Sequence, residues 1–241
     1  MPGDVAGEEW SALGGEYRSA IATGRSSSSW LRDAILKPTI VRLLGDCSRG
    51  RVLDIGTGGG WLFEEIRVGE PHACDIATPE QVPEGVRFAL ADVTQLPHAD
   101  RYFDALVASV VLCYCSDLTR AAAEMARITR TGGMAVVALV HPYFYRTGRA
   151  EKDDSFRVTT DLSRPRSFPI HIGEKVGPFT YHLYAPGAYV NAFVDTGWRL
   201  TRMEDGFIPR ELYKARFAAD RDEVERSTKV PLFTFMTFER D

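Results

Sequence analysis

The sequence predicts an α/β domain of the doubly wound kind, in which helices cover both faces of a mostly parallel sheet. Short apolar segments alternate with helical ones between residues 51 and 140, and this alternation is typical of βαβ units. Met134 to Val140 is a continuous apolar run, as expected for a strand buried on both faces. A glycine-rich turn follows the first of these strands. Together the patterns favour one α/β domain.

The elements of the domain follow in a regular order, without internal repeat or linker. Apolar runs bounded by turn residues predict seven strands, whereas apolar residues at helical spacing predict the helices between them. The strands are Arg51 to Ile55, Pro71 to Asp75, Val86 to Leu90, Phe103 to Val111, Met134 to Val140, Trp198 to Glu204 and Pro231 to Glu239. The helices are Gly59 to Arg67, Leu118 to Thr129 behind an Asp117 cap, Pro186 to Thr196 and about 209–227.

Two segments do not follow this alternation of strands and helices. Residues 1–29 are poor in apolar residues and end in a serine run, which predicts a mobile arm or lid, and residues 30–241 then form the single domain. Helical spacing continues from Trp30 to Leu44, where Pro38 either kinks the helix or starts a second one. Residues 141–185 are rich in aromatic residues, proline and arginine, and we interpret them as a cap-like, acceptor-facing insertion after the fifth strand.

Composition narrows the classes of function. The net charge of −4 and the pI of about 5.8 give no electrostatic reason to expect a nucleic-acid partner. No run approaches the roughly 20 apolar residues of a membrane-spanning helix, and the acidic N-terminus is unlike a signal peptide. None of the four cysteines forms a C-x-x-C pair, which favours buried free thiols in the cytoplasm over a metal site.

A turn with alternate glycines opens at the end of the first strand. Gly56, Gly58 and Gly60 let backbone approach a ligand that a Cβ would block. A dinucleotide-binding turn of the form G-x-G-x-x-G would need a third glycine where Trp61 stands. The preceding Asp54 would also repel a pyrophosphate, and it favours a cationic ligand such as an ammonium group. A nicotinamide dehydrogenase is therefore the weaker alternative.

The run Asp54-x-Gly56-x-Gly58-x-Gly60 resembles motif I of the class I S-adenosylmethionine-dependent methyltransferases. This resemblance implies a Rossmann-like, seven-stranded sheet and S-adenosylmethionine as cofactor, with its methionine part held at the glycine turn. It also implies an acid for the ribose hydroxyls, one for the adenine amino group, and a fourth-strand end near the sulfonium. The implied cofactor-binding residues are Asp54, Gly56, Thr57, Gly58, Gly60, Asp75, Ile76, Asp92, Val93 and Ser109.

Later segments are similar to the small-molecule, type 11 group of the same family. The stretches 173–182, 189–192 and 195–198 carry this likeness, which implies a small-molecule acceptor; the oligomeric state stays open between monomer and homodimer. One departure lies between Asp75 and Val86, where about ten residues with two prolines replace the usual full helix. We expect one flank of the adenosine pocket to be open there.

Two histidines are candidates for a general base in methyl transfer. His141 directly follows the fifth strand, at the carboxyl edge where doubly wound sheets bind ligands. His182 lies just before the predicted helix at Pro186. Each could instead be a structural residue of a turn or strand. The alternatives to a small-molecule methyltransferase are an RNA or protein methyltransferase, and a non-catalytic S-adenosylmethionine-binding regulator or partner subunit.

Overall fold

The computed structural model describes residues 5–22, 29–46, 49–79, 81–144, 147–150, 156–158, 161–172, 176–216 and 228–241. Its centre is a seven-stranded sheet of order β10-β11-β5-β4-β1-β2-β3. Only β11 runs antiparallel to its neighbours within this sheet. The strands are β1 Arg51–Ile55, β2 Glu70–Asp75, β3 Arg87–Leu90, β4 Phe103–Ser109, β5 Thr129–Val140, β10 Trp198–Gly206 and β11 Phe233–Arg240.

Helices cover both faces of the sheet, and two small hairpins follow β5. The alternating side chains of β4 show the layering: Leu106 and Ala108 enter one apolar cluster with α5 and α6, and Val107 enters the other with α3 and α4. The helices are α1 Val5–Ala22, α2 Ser29–Leu31, α3 Lys37–Leu44, α4 Leu62–Glu65, α5 Leu118–Ile128, α6 Pro186–Val194 and α7 Arg210–Arg216. The hairpin strands are β6 Thr147–Ala150, β7 Phe156–Val158, β8 Arg166–Ile172 and β9 Val176–Leu183.

The predicted doubly wound, mostly parallel sheet is confirmed, and so is the Asp117 cap of α5, whose carboxylate accepts from Arg120 N. Pro38 lies in the first turn of α3 and thus starts a second helix. The preceding residues, Arg32–Leu36, form a π-helical segment.

Two predicted boundaries were wrong, and a third falls on residues that the structure does not describe. The helix at 59–67 shrinks to α4, because the chain is already extended at Ile66 on its way to β2. β4 ends at Ser109 and not at 111, because Val110 has a φ of +56°. The helix at about 209–227 is α7 as far as residue 216, and residues 217–227 lie outside the described part of the chain.

The N-terminal helix α1 is held against β9. Trp10 stacks on Phe179 with ring centroids 4.2 Å apart and meets Tyr114 edge-on at 5.1 Å. The Glu9 carboxylate accepts from the backbone N–H and the hydroxyl of Thr180, each at 2.7 Å. Thr180 lies opposite Pro169 of β8. Residues 5–22 of the predicted arm thus form a helix that packs on the β8–β9 hairpin, whereas residues 1–4 and 23–28 lie outside the described part of the chain.

Two imidazoles are buried together near the amino ends of β2 and β4. His72 and His98 meet edge-on with ring centroids 6.1 Å apart, and both pack on Phe103. Within the described residues, neither Nε2 atom has a hydrogen-bond partner. Burial lowers the pKa of both imidazoles, so each takes up a proton at a lower pH in the folded protein than in the unfolded chain.

This pair predicts acid sensitivity. The unfolded chain takes up protons on these histidines below a pKa of about 6.5, and the folded protein does so only at lower pH, so their contribution to stability is lost as the pH falls. We expect the melting temperature of the wild type to fall more than that of the His72→Phe/His98→Phe variant as the pH is lowered from 7 to 5. His171→Phe, at an exposed position, is the control. Parallel curves for wild type and double variant would contradict the prediction.

Candidate active site

The glycine turn is fixed to the neighbouring strand by its own backbone. The N–H groups of Gly56 and Thr57 both donate to the carbonyl of Cys74 in β2, at 2.8 and 3.1 Å. Gly56 has a φ of +69°, and a Cβ there would lie 2.6 Å from Val111 Cγ2. Only glycine combines this left-handed conformation with so close a contact.

Asp54 is buried beneath this turn at the end of β1. Its side chain accepts a hydrogen bond of 2.8 Å from the Thr57 hydroxyl, and the residue is 1% exposed. Burial raises the pKa of Asp54 to about 7, opposed by the Thr57 hydrogen bond and assisted by the charge of Asp75. It forms no ion pair with any residue that the structure describes. A buried acid of this kind is stabilised in its charged form by an incoming cation.

Asp75 is positioned by backbone donors at the end of β2. Gly58 N–H donates to Oδ2 at 2.8 Å and Ala77 N–H donates to Oδ1 at 3.0 Å. Each carboxylate oxygen has a second acceptor position, which suits the paired hydroxyls of a ribose. A Cβ at Gly58 would meet nothing within 4 Å, so open space lies beside the turn where a ligand can approach.

The segment between β2 and β3 contains no helix over its described residues, 76–79 and 81–86. Pro83 instead lies against the turn, 2.9 Å from the position a Cβ would take at Gly60. The prediction that the usual full helix is missing here is confirmed over these residues. Ile76 is half-buried and belongs to neither large apolar cluster.

Asp92 and Val93 follow β3 at the same edge of the sheet. The Oδ1 atom of Asp92 accepts from both the N–H and the hydroxyl of Thr94, at 2.6 and 2.7 Å. This turn fixes the direction of the carboxylate. Val93 is 9% exposed and joins the core cluster beneath.

The end of β4 carries strained backbone. Ser109 is half-buried, and the next residue, Val110, has a φ of +56°. This conformation is unfavourable for a β-branched residue and marks functional sites. Val110 N–H donates to the Ala138 carbonyl of β5 at 2.7 Å, which holds the chain in this shape.

His182 lies on β9, between Tyr181 and Leu183, which pack on Cys113 of the segment after β4. Its Nδ1 is 2.8 Å from the Ser167 hydroxyl across the hairpin. Burial lowers its pKa and the charge of Glu9 opposes this. The residue two positions later, Tyr184, donates to the carbonyls of Cys115 and Ser116. These contacts place the end of β9 beside the segment that follows β4.

His141 follows β5 and is 4% exposed. Its Nδ1 accepts from the N–H of Tyr143 at 3.2 Å, and its Nε2 lies 3.7 Å from Asp205 Oδ1. Burial lowers its pKa, opposed by Asp205. In this arrangement the lone pair sits on Nδ1 and is already used, so the ring can take a proton only if the bond to Tyr143 opens.

The structure adds two charged residues that sequence reasoning missed. Glu9 anchors α1 on Thr180, and Arg32 begins the segment before α3 with a buried Nε. An acid in an exposed helix and one arginine among many carry no signal in the sequence.

Three cysteines of the described residues, Cys74, Cys113 and Cys115, are buried free thiols. Over the same residues, no three metal-binding side chains form a group that could hold an ion. Likewise no described helix is both long and apolar enough to cross a membrane.

Comparison with known proteins agrees with this geometry. Residues 53–137 match the family model of a methyltransferase domain. A malonyl-[acyl-carrier protein] O-methyltransferase of Erwinia pyrifoliae is 30% identical over 128 residues, which are 48% of this chain and 49% of that protein. The chain thus matches about half the length of this curated relative.

Solved structures share the fold. An S-adenosylmethionine-dependent methyltransferase from Mesorhizobium loti superposes with a TM-score of 0.65 at 19% identity, over 84% of this chain and 96% of that one. The 1,6-didemethyltoxoflavin-N1-methyltransferase of Burkholderia thailandensis, bound to S-adenosylhomocysteine, gives 0.58 at 15% identity, over 98% and 90%. Residues 53–137 therefore form a methyltransferase domain, and the fold around them is shared with S-adenosylmethionine-dependent methyltransferases.

Proposed function

We propose that the chain transfers a methyl group from S-adenosylmethionine to an O, N or C nucleophile of a small molecule. The observation that carries this proposal is Asp54: a buried acid without a described ion-pair partner, under a glycine turn that leaves open space at Gly58. The ammonium group of an amino-acid ligand supplies the missing cation. When bound, S-adenosylmethionine supplies an electrophilic methyl group on sulfur.

The cofactor half of the site is assigned residue by residue. Asp54 binds the ammonium group, and Gly56, Thr57, Gly58 and Gly60 form the turn over which the ligand lies. Asp75, at the end of β2, accepts from the ribose hydroxyls, and Asp92, after β3, accepts from the adenine amino group. Apolar neighbours of these acids pack on the adenine ring. Ser109 lies where β4 ends, beside the reacting centre. The proposed residues beyond the turn are Asp75, Ile76, Asp92, Val93 and Ser109.

The acceptor half is formed by the segment after β5. Tyr181 and Leu183 of β9 pack on Cys113, which puts the β8–β9 hairpin over the end of β4. We infer that His182 is the general base: its Nδ1 is held by Ser167, and its Nε2 has no hydrogen-bond partner among the described residues. Because side chains alternate along a strand, His182 points away from Cys113, so the acceptor must approach from that face of the hairpin. His141 is the second candidate and requires its bond to Tyr143 to open.

Calorimetry and turnover test the function together. The purified protein is expected to bind S-adenosylhomocysteine with a Kd in the micromolar range and to transfer label from methyl-labelled S-adenosylmethionine to a small molecule of a metabolite extract. Binding without transfer to any fraction would favour a non-catalytic cofactor-binding protein. Transfer only to RNA or protein would overturn the assignment of a small-molecule acceptor.

Removal of the proposed base should lower turnover and leave cofactor binding unchanged. With the acceptor identified from the extract, His182→Gln is expected to lower kcat by about 100-fold while the Kd for S-adenosylhomocysteine stays unchanged, since general base catalysis contributes 10²–10⁴-fold. His171→Gln, on the neighbouring strand of the same hairpin, is the control. An unchanged kcat in the His182 variant would move the role of base to another group.

A further inference from the structure

Glu9 of α1 is fixed on the β8–β9 hairpin by two hydrogen bonds to one residue. Its Oε2 accepts from the backbone N–H of Thr180 and its Oε1 from the Thr180 hydroxyl, each at 2.7 Å. Trp10, the next residue of α1, stacks on Phe179 with ring centroids 4.2 Å apart. Both oxygens of the carboxylate are therefore held by β9, and the docking of α1 sets the position of this negative charge.

His182 lies on the same face of β9 as Thr180. Side chains alternate along a strand, so residues two apart share a face and are separated by roughly 7 Å. Thr180 and His182 are both half-buried, whereas Tyr181 between them is buried on the other face. The Glu9 carboxylate, bound to the Thr180 hydroxyl, is thus placed beside the imidazole ring.

The charge of Glu9 acts on this ring. Burial lowers the pKa of His182, and the Glu9 carboxylate opposes this because it stabilises the protonated form. The Nδ1 atom lies 2.8 Å from the Ser167 hydroxyl, which fixes the ring against β8. When Nδ1–H donates to this hydroxyl, Nε2 is the atom that takes up a proton, and the resulting cation lies near the carboxylate.

The other titratable groups of the hairpin leave this influence intact. Arg166 of β8 is bound to Asp161 at 3.1 Å. His171 is exposed and lies four residues, roughly 13 Å, from Ser167 along β8. Burial raises the pKa of Tyr184 to about 12, so this phenol is uncharged at neutral pH. Over the described residues of the hairpin, the charges are thus paired or remote from the ring.

The other elements that pack on β9 place no charge at this face among their described residues. After β4, Cys113 and Tyr114 contact Tyr181, on the opposite face of the strand. Burial raises the pKa of the Cys113 thiol, so it stays uncharged. Glu8 and Glu16 of α1 are exposed. Glu9 is thus the acid of α1 that the described contacts hold at the hairpin.

We propose that Glu9 is a positioning residue for methyl transfer, which holds a negative charge beside His182 and stabilises the imidazolium formed when Nε2 takes the acceptor proton. The proposal rests on the general base proposed above. As the acceptor gains the methyl group it loses its proton to Nε2, so the positive charge that leaves the sulfur appears on the imidazole ring. The strength of the base therefore depends on the docking of α1.

The first measurement needs no acceptor. The imidazole signals of the ligand-free protein are followed by NMR from pH 4 to pH 9, and His182 is assigned from the His182→Gln variant. Glu9→Gln is expected to move the titration of His182 to lower pH, because the amide no longer stabilises the protonated ring. Glu9→Asp keeps the charge and should keep the titration near that of the wild type. Glu16→Gln, the same change at an exposed position of α1, is the control.

The pH profile of kcat tests the role in turnover. With the acceptor identified from the extract, kcat of the wild type is expected to rise with pH as the base loses its proton. In Glu9→Gln this rise should occur at lower pH and reach a plateau about 2- to 5-fold lower, since a weaker base takes the acceptor proton less readily. The Kd for S-adenosylhomocysteine stays unchanged, and Glu9→Asp restores most of the profile.

The two measurements separate the ways in which the proposal can fail. A uniform fall of kcat at every pH, or a His182 titration that does not move in Glu9→Gln, would show that Glu9 only docks the helix. If the titration moves but His182→Gln turns over like the wild type, the histidine is not the base and the proposal fails with that assignment. A wild type that neither binds S-adenosylhomocysteine nor transfers label would overturn the proposed function itself, whatever the titration shows.

Discussion

Replacing Asp54 with asparagine is expected to weaken the binding of S-adenosylhomocysteine by at least about 100-fold, because it leaves the ligand ammonium buried without its counter-charge. Asparagine keeps the size of the side chain and can still accept from Thr57, so the loss reports on charge. Calorimetry of wild type and variant measures it. Asp195→Asn, at an exposed position, is the control, and binding within a few-fold of wild type in Asp54→Asn would sink the assignment.

The pH dependence of this binding provides an independent check. Since Asp54 has a pKa of about 7 in the free protein and must be ionised to meet a cation, affinity is expected to rise from pH 6 to pH 8 in the wild type. The Asp54→Asn variant should lack this rise. A wild-type affinity that stays flat over the range would show that the acid is already charged or takes no part.

The same substitution is expected to stabilise the ligand-free protein. The pKa of Asp54 is about 7 in the folded state and about 3.9 in the unfolded state, so stability falls as the pH rises from 4 to 7, by up to about 4 kcal/mol. Asparagine avoids this loss but buries an amide N–H, which leaves a net gain of about 2 kcal/mol at pH 8. Thermal unfolding without ligand at pH 8 measures the gain.

Adding one methyl group to the turn should mainly lower stability at Gly56 and mainly lower cofactor affinity at Gly58. Gly56→Ala is expected to cost about 3 kcal/mol of stability, from its left-handed backbone and overpacking, because the new Cβ would meet Val111 at 2.6 Å. In a protein of this size that lowers the melting temperature by about 6–12 °C.

Gly58→Ala is the matched comparison. Its φ of +55° costs about 1 kcal/mol, but its Cβ would meet nothing within 4 Å of the protein. The methyl group would instead occupy the space proposed for the cofactor, so affinity for S-adenosylhomocysteine should fall more than stability does. Equal losses of stability in the two variants, or a Gly58→Ala variant with full affinity, would contradict this account.

The features of this molecule that depend on a few consecutive residues are predictable from its sequence. The glycine turn needs only a strand, spaced glycines and a helix start in order. A ten-residue interval with two prolines was enough to exclude a helix before β3. Buried parallel strands appear as unbroken apolar runs such as 134–140, because both of their faces are covered.

Features that depend on contacts between distant residues are not predictable from the sequence. The helix after the glycine turn ends already at Glu65, and Gly69 then passes the backbone of Arg49, whose carbonyl oxygen would be 2.8 Å from a Cβ there. The positive φ of Val110 and the occupied Nδ1 of His141 likewise arise from neighbours that the sequence does not reveal. For the same reason the sequence supports a hypothesis for the cofactor half of the site and leaves the acceptor half open.

The contact of Glu9 with Thr180 makes one amide proton a reporter of the N-terminal helix. The N–H of Thr180 donates to the carboxylate of Glu9, so its protection from exchange depends on α1. Its hydrogen exchange therefore measures how often α1 leaves the hairpin, whereas the amides of β4 and β5 measure global unfolding. A single labelled threonine thus allows the docking of the helix to be followed during binding and turnover.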